Sequence, residues 1–360
     1  MNVSLERIAL ASTVGLIAFK AIKGFLKLSH EEHEFASTAG LSGGRKNRKE
    51  FFGLGLSEFL NDQGLLISYR TWIPEKITQG IVILSHGFAG HSGRYEHVAL
   101  ELQRKGFAVY AIDHQGHGQS EGDRAYVPHF SYYASDLIQL TRIAKRVHKD
   151  QSRFYLIVRA TCSLTHSHTH TLTHPHQGHS MGGAIAINTV FMQPELFDGV
   201  VLSGPLIEPD PKIATPFMKT LARLISNIVP KLSLDPVEPD KISKDPTVVD
   251  RYVNDPLVYH GGIRARPAAE MLSFMENDIP TKAKTWKVPL LLQHGENDVM
   301  CLPSGSKRFF AMLPGSSSKN RLVIYDGLYH EIYNSPFGRD DKTLVNKPIR
   351  DAVDWLLSLN

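Results

Sequence analysis

The chain has 360 residues, 42% hydrophobic and 21% charged, which excludes a wholly disordered protein and a polytopic membrane protein. Its net charge of +4, from 40 basic and 36 acidic residues, is too small and too dispersed to predict a nucleic-acid partner. The two cysteines, Cys162 and Cys301, cannot build a disulfide framework. Five of the 18 histidines fall between His166 and His176, and this local excess needs its own explanation.

An apolar segment near the N-terminus is too short to span a bilayer unaided. Residues 8–19 carry no charge, and lysines then interleave with apolar side chains up to Lys27. A spanning helix needs about 20 apolar residues, so this segment can insert marginally or lie in the interface. Membrane attachment is the preferred interpretation, beside a cleaved targeting segment and an ordinary soluble helix. Residues 1–50 are therefore predicted as an apolar segment and linker preceding the folded domain.

Beyond residue 50, short β-type runs alternate with amphipathic helical segments. The runs at 81–84, 107–112 and 154–157 are almost continuously apolar, as expected for strands buried on both faces of a sheet. Further strands are predicted at 67–73, 199–202, 288–293 and 322–325, and helices at 95–105, 132–148, 184–191, 304–313 and 349–357. This alternation predicts an α/β fold with a doubly wound, mostly parallel sheet.

One stretch interrupts the alternation. Between Ile207 and Lys284 no buried strand is predicted, but apolar residues repeat at helical spacing from Phe217 to Val229. Residues 207–284 are therefore predicted as a helical cap inserted after the sixth strand, between two parts of the core at 51–206 and 285–360. A separate helical subdomain without a lid role is the alternative.

A serine motif follows the third predicted buried run, at 154–157. Gly178, Ser180 and Gly182 match the pattern G-x-S-x-G, in which a nucleophilic serine occupies a strained turn between a strand and a helix. Small residues are needed two positions before and after the serine because larger side chains would clash there. The motif alone is only moderately specific, so the chemistry depends on its context.

The context supplies an acid and a base in the order expected of such a fold. Asp298 follows the strand predicted at 288–293, and His330 follows the strand at 322–325. His330 would take the proton of Ser180 as general base, and Asp298 would hold the imidazole in the correct tautomer. Alternatives are Glu296 as the acid, Asp298 as a helix cap near residue 304, and His330 as an ordinary loop residue.

Two backbone amides are the predicted oxyanion hole. The donors expected are the amide of the residue after the nucleophile, Met181, and an amide from the loop after an early strand. Phe88 is the second candidate because Gly87 lets the backbone approach closely. The Phe88 side chain would line the acyl pocket or pack under the cap.

Longer motifs carry a family resemblance. From about Ser57 to Leu357 the chain resembles monoacylglycerol lipase and its relatives among the α/β-hydrolases, most clearly in SHGFAGHSGRYEHVALEL, AIDHQGHGQSEGDRAYVPHF, GHSMGGAIAI, HGENDVMC and YDGLYHEIYN. By resemblance, Ser180, Asp298 and His330 are the triad, and Phe88 and Met181 the oxyanion donors. Cys301 lies where the animal enzymes carry a reactive cysteine, although the cap cysteines of those enzymes are absent here.

The resemblance implies hydrolysis of a monoacylglycerol, a lipid ester, to fatty acid and glycerol by a cytoplasmic, membrane-associated enzyme. The cap would touch the membrane, and residues 217–229 are apolar enough to do so, although packing in the core is the more frequent role of such a helix. No metal, nucleotide or redox cofactor is implied. A lysophospholipase, a long-chain carboxylesterase and a non-catalytic scaffold are the alternatives, whereas Ser180 excludes the relatives with an aspartate nucleophile.

Residues 158–177 depart from the family pattern. In the family the strand at 154–157 runs directly into the elbow, whereas here 20 extra residues intervene and contain all five clustered histidines and Cys162. Histidine-rich tracts bind metals, but the tract has no acidic ligand and is not a stable helix. The preferred hypothesis is a translated intron, since Val-Arg-Ala, Gln177 and the Thr-His repeat can be encoded by splice-donor-like, acceptor-like and CA-rich sequences. The insertion predicts a weak or inactive hydrolase.

Overall fold

An eight-stranded sheet organises the part of the chain that the computed structural model describes, namely residues 56–158, 181–211, 214–233, 250, 252–315, 317–334 and 345–359. Its strands are β1 (Leu56–Leu60), β2 (Leu66–Trp72), β3 (Gly80–Ser85), β4 (Phe107–Ile112), β5 (Phe154–Val158), β6 (Gly199–Ser203), β7 (Leu290–Gly295) and β8 (Arg321–Tyr325). The spatial order is β1-β2-β4-β3-β5-β6-β7-β8. β2 pairs antiparallel with both of its neighbours, β1 and β4, and the other neighbouring strands pair parallel, which confirms the predicted, mostly parallel sheet.

The helices cover both faces of this sheet. They are α1 (Glu96–Arg104), α2 (Ser131–Val147), α3 (Met181–Met192), α4 (Pro216–Ile228), α5 (Ala265–Ser273), α6 (Pro303–Met312) and α7 (Lys347–Leu357). α1 and α7 share one hydrophobic cluster with one face of the sheet, while α2, α3 and α6 share another cluster with the opposite face. Every described residue of β3, β4, β6 and β7 is buried because side chains on both faces meet helices.

Strand β1 was not predicted from the sequence. Its sequence, LSEFL, carries a serine and a glutamate, as suits an edge strand that is only partly buried. It pairs with β2 through a turn in which Asn61 Oδ1 accepts hydrogen bonds from the N–H groups of Gln63 (3.1 Å) and Leu65 (2.9 Å). Gly64 completes the turn with a φ of +75°, which a glycine adopts without strain.

The region between β6 and β7 is helical, after the sixth strand as predicted. α5 continues through a π-helical turn (Phe274–Asp278) and one α-helical turn (Ile279–Lys282) towards β7. α4 lies beside this helix, and Glu276 forms ion pairs with Lys219 and with Arg223, the latter at 2.8 Å. Within the described residues from 207 to 284, the structure has one isolated β-bridge and no strand.

The interpretation of α4 as a core-packing helix is wrong. Phe217, Leu224 and Ile228 are 70%, 55% and 70% exposed, and Met218 is also exposed. The buried residue of α4 is the polar Ser226. The periodicity shows which residues share a face of a helix, but it does not show whether another element covers that face.

Two sequence predictions fall on residues that the structure does not describe. The N-terminal apolar segment at residues 8–27 is one of them, and the insertion predicted at 158–177, with its histidines and Cys162, is the other, except that its first residue, Val158, is described and belongs to strand β5. In the described ranges, no helix combines the length and the hydropathy that a bilayer crossing requires.

Candidate active site

Asp298 and His330 meet at the carboxyl edge of the sheet. They lie in the loops that follow β7 and β8, and because these strands are parallel neighbours, both loops emerge at the same edge. His330 Nδ1 lies 2.6 Å from Asp298 Oδ2, and both side chains are fully buried. Glu296, the alternative acid, is exposed, and the residue at the N-cap of α6 is Leu302 rather than Asp298.

A glycine at the end of β7 allows this close approach, and a second glycine follows β6 beside the two side chains. A Cβ atom on Gly295, the last residue of β7, would lie 2.2 Å from the carbonyl oxygen of Tyr329, so the loop carrying His330 fits only against a glycine. Gly204 follows β6 with a φ of +51°, and a Cβ atom there would lie 3.4 Å from Asp298 Oδ2 and 3.5 Å from His330 Nδ1. The ends of β6, β7 and β8 therefore pack together around the two side chains.

Hydrogen bonds hold Asp298 as a carboxylate. Its Oδ1 accepts from the N–H groups of Met300 and Cys301, both at 2.9 Å, and its Oδ2 accepts from His330 and from His294 Nε2 at 3.0 Å. Burial alone would raise the pKa of Asp298, but the charge of His330 and the hydrogen bonds from both histidines lower it well below its usual range. Asp298 is therefore ionised throughout the physiological pH range.

The loop after β3 carries the predicted oxyanion donor Phe88. The Phe88 side chain is buried and makes edge-to-face contacts with His117 and Tyr259, with ring centroids 5.8 and 6.1 Å apart. Ala89 has a φ of +65°, an unusual conformation for alanine that this loop imposes. Both alternatives for the Phe88 ring remain compatible with this placement, since Tyr259 belongs to the predicted cap.

Contacts from the cap hold the same loop. The N–H of Tyr259 donates to the carbonyl oxygen of Ala89 at 3.0 Å. His91 Nε2 lies 2.8 Å from Asp255 Oδ2, and both groups are largely buried. The position of the loop after β3 therefore depends on residues of the cap as well as on β3.

Three buried histidines, His86, His114 and His117, pack against one another at the start of this loop. His86 donates from Nδ1 to the carbonyl oxygen of Gly87 (2.7 Å) and accepts at Nε2 from the N–H of His114 (2.9 Å), so its ring is neutral. Burial lowers the pKa of His86 to about 4, and burial and mutual repulsion also lower the pKa values of His114 and His117. The cluster is therefore uncharged at neutral pH.

The elbow is described only in part. Ser180 and Gly178 lie outside the described residues, whereas Met181 and Gly182 form the buried first turn of α3. Met181 is the first described residue of α3, and its N–H group remains the predicted oxyanion donor. Gly183, which the sequence analysis missed, packs on Pro205, because an added Cβ atom would lie 2.4 Å from the Cβ atom of Pro205.

Cys301 and His294 complete the surroundings of Asp298. Cys301 is buried, and its main chain donates to Asp298 and accepts from His294 Nε2 at 2.7 Å. His294 was not singled out from the sequence. The sequence signal that could have indicated its role is a histidine near the end of a predicted buried strand, four positions before an aspartate. Within the described ranges, no group of three or more histidine, cysteine, aspartate or glutamate side chains is arranged to hold a metal ion.

A family model described as serine aminopeptidase S33, Hydrolase_4, matches residues 76–336. The chain belongs to this hydrolase family. It is 33% identical over 281 residues to human monoglyceride lipase, covering 77% of this chain and 84% of that protein. It is 32% identical over 295 residues to monoacylglycerol lipase of Mycolicibacterium smegmatis, covering 82% of this chain and 94% of the relative.

Solved structures agree with this assignment. The crystal structure of Paleococcus ferrophilus monoacylglycerol lipase superimposes with a TM-score of 0.66 at 28% identity, covering 82% of this chain and 99% of that one. A soluble variant of Saccharomyces cerevisiae monoglyceride lipase has the same fold, with a TM-score of 0.67 at 20% identity and coverage of 85% and 94%. The protein is thus a monoacylglycerol lipase-like α/β-hydrolase and a carboxylic ester hydrolase.

Proposed function

We propose that this hydrolase cleaves monoacylglycerol to a fatty acid and glycerol, with Ser180 as nucleophile, His330 as general base and Asp298 as the acid that orients the base. The observation that carries the proposal is the buried contact of 2.6 Å between His330 Nδ1 and Asp298 Oδ2. A histidine fixed at Nδ1 by a carboxylate presents Nε2 as a base, which is the arrangement that activates a serine.

The reaction proceeds through an acyl-enzyme. Ser180 Oγ attacks the ester carbonyl while His330 Nε2 takes the hydroxyl proton, and the amides of Phe88 and Met181 donate to the oxyanion that forms. His330 returns the proton to the glycerol oxygen as the ester bond breaks. Water then attacks the acyl group with His330 again as base, and the fatty acid leaves. General base action contributes about 100- to 10,000-fold to such a rate.

The names of the relatives favour a monoglyceride as substrate. Human monoglyceride lipase and the mycobacterial monoacylglycerol lipase are both more than 30% identical to this chain. Phospholipase YtpA of Bacillus subtilis, at 26% identity over 274 residues, supports a lysophospholipase as the second candidate. Turnover of a long-chain monoacylglycerol, the matching lysophospholipid and a short-chain ester distinguishes these candidates, and the first should be the best substrate.

The exposed face of α4 supports contact with a lipid surface. Phe217, Leu224 and Ile228 present apolar side chains that no described residue covers, and they lie in the predicted cap at 207–284. Monoacylglycerol is itself held in a lipid phase, so an apolar cap would receive it from there. The enzyme would thus act at a membrane surface.

We further propose that the insertion at 158–177 impairs catalysis. β5 ends at Val158 and α3 begins at Met181, so the nucleophile lacks the short connection to its strand that the elbow requires. A displacement of about 1 Å of a reacting group can cost about 100-fold in rate. Deletion of the 20 residues should therefore raise kcat/KM for monoacylglycerol by about 100-fold.

The test compares the full chain, the deletion variant and a Ser180→Ala variant of each. Each form is treated with a fluorophosphonate probe, which labels only an activated serine, and is assayed for ester turnover. Labelling and turnover that disappear with Ser180→Ala support the serine mechanism, whereas an absence of labelling in both parent forms supports a non-catalytic scaffold. Equal turnover with and without the insertion would contradict the proposed impairment.

A further inference from the structure

A second histidine shares one carboxylate oxygen with the base. His294 Nε2 lies 3.0 Å from Asp298 Oδ2, the same atom that His330 Nδ1 contacts at 2.6 Å. On its other side, His294 Nδ1 lies 2.7 Å from the hydroxyl oxygen of Ser306, the fourth residue of α6. His294, Asp298 and Ser306 are all buried, so these contacts are shielded from water.

The partners of His294 determine its tautomer. Nε2 faces two acceptors, the carboxylate of Asp298 and the carbonyl oxygen of Cys301, so this nitrogen carries the proton. A serine hydroxyl can donate, and the hydroxyl of Ser306 therefore donates to the unprotonated Nδ1. The two acceptors at Nε2 therefore select the tautomer that donates to Asp298, and the Ser306 hydroxyl supplies the hydrogen bond at Nδ1.

We propose that His294, held by Ser306, is a positioning residue that fixes the Asp298 carboxylate and limits how strongly Oδ2 accepts from His330. This inference rests on the proposed roles of Asp298 and His330. Strand β7 ends one residue after His294, so the ring is anchored by the sheet, whereas Asp298 and His330 both lie in loops. His294 therefore connects a loop carboxylate to the rigid part of the fold.

The sharing of one oxygen has an electrostatic consequence. The titratable side chains that act on Asp298 are His294 on β7 and His330 on the loop after β8, and Gly204 after β6 carries none. Without the His294 donor, the charge on Oδ2 would be available to His330 alone. The hydrogen bond from His330 to Oδ2 would then be stronger, and the protonated form of His330 would be stabilised further.

The test is a pH titration of the full-length chain by proton NMR. The Nδ1 proton of a histidine bonded to a carboxylate resonates far downfield, and its assignment is secured by its loss in His330→Gln. In His294→Leu we expect the titration midpoint of this proton to rise by about half to one pH unit, in keeping with the loss of one hydrogen bond to a carboxylate. The acid limb of the pH profile of kcat/KM should move by the same amount, with a fall in kcat of about tenfold.

Two further variants distinguish a positioning role of His294 from a general effect of the substitution on folding. The amide nitrogen of glutamine replaces the Nε2 donor of histidine, so His294→Gln should restore the midpoint of the parent chain. Ser306→Ala should move the midpoint in the same direction as His294→Leu by a smaller amount, and it keeps the test available if the leucine variant does not fold. Midpoints that do not change in His294→Leu and Ser306→Ala would overturn the inference.

The NMR readout does not require an active Ser180. If the parent chain shows the downfield proton but neither turnover nor fluorophosphonate labelling, the proposed function fails, and the effect of His294 on the Asp298–His330 pair is still measured. If labelling is normal and the midpoints do not respond, the proposed function stands and the role of His294 is refuted.

Discussion

His86 shows how a single buried side chain can make the loop after β3 sensitive to acid. Its ring is neutral because Nε2 accepts a hydrogen bond from the N–H of His114 at 2.9 Å. Protonation would remove that acceptor and place a charge beside the rings of His114 and His117, whose centroids are 4.5 and 5.4 Å away. The loop after β3 therefore depends on these rings remaining uncharged.

The stability of the protein should fall as the pH drops from about 6.5 to about 4. Burial lowers the pKa of His86 from 6.5 to about 4, so between these values the unfolded chain binds a proton that the folded chain does not. His86 alone would remove about 3 kcal/mol from the free energy of unfolding over this window. His114 and His117 act in the same direction.

Urea unfolding at pH 7.5 and pH 5.0 measures this effect. The parent chain should unfold at a lower urea concentration at pH 5.0, and His86→Gln should show a smaller difference between the two pH values because its amide does not titrate. Equal midpoints for the parent chain at both pH values would refute the explanation. The depressed pKa of Asp298 adds little here, because its contribution to stability is lost only as the pH falls below about 4.

At the scale of elements, the ends of β7 and β8 bring the two loops together, and Gly295 permits the contact. We expect Gly295→Ala to displace the loop carrying His330, since the new Cβ atom would lie 2.2 Å from the carbonyl oxygen of Tyr329. A displacement of about 1 Å should lower kcat/KM by about 100-fold. Ester turnover by the more active of the full chain and the deletion variant measures the effect.

Gly315 offers a matched control for this substitution. A Cβ atom on Gly315 would have no neighbour within 4 Å, so Gly315→Ala should leave kcat/KM unchanged. If Gly295→Ala retains full activity, the loop has more room than the structure shows. A parallel loss in both variants would instead indicate a general effect of alanine on folding.

Elements that are uniformly buried along their whole length can be predicted from the sequence. β3 and β4 are buried on both faces and therefore read as apolar runs, whereas β1 lies at an edge and carries a mixed sequence that gives no such signal. Asp298 and His330 were predictable because each follows a recognisable strand. His294 was not, since its importance comes from contacts with Ser306 and Asp298 that only the folded chain brings together.

At the scale of the whole molecule, the sheet and α3 are formed on either side of the predicted insertion. β5 still pairs with β3 and β6, and α3 is buried in the core, although 22 residues separate Val158 from Met181. Closing a loop of 20 residues costs only about 2.7 kcal/mol, less than the typical stability of a domain. We therefore expect any cost of the insertion to appear in the rate of catalysis rather than in the stability of the fold.

The apolar face of α4 is expected to determine how the whole molecule meets lipid. We expect the double substitution of Phe217 and Ile228 by serine to lower partitioning of the full chain onto phosphatidylcholine vesicles by at least about tenfold. Each of these side chains is 70% exposed. Burying one side chain of this size in an apolar phase contributes about 1.5 to 3 kcal/mol to the free energy of transfer from water. Co-sedimentation with vesicles gives the partition coefficient.

The control is Leu60→Ser, because Leu60 is 59% exposed but lies on the edge strand β1. It should not change partitioning. Unchanged partitioning in the double variant, or an equal loss with Leu60→Ser, would show that the protein does not bind lipid through α4. Turnover of a short soluble ester should be the same in all three forms, since none of the substitutions contacts Asp298 or His330.

The hydrogen bond from Tyr259 to Ala89 limits which segments can be exchanged between family members in a chimaeric protein. It joins the cap to the backbone one residue after Phe88, beside the ion pair of His91 with Asp255. A chimaera that received the cap of a relative would lose these contacts and leave the loop after β3 without part of its support. Exchange of substrate preference between family members would therefore require residues 86–91 and the cap to be transferred as one unit.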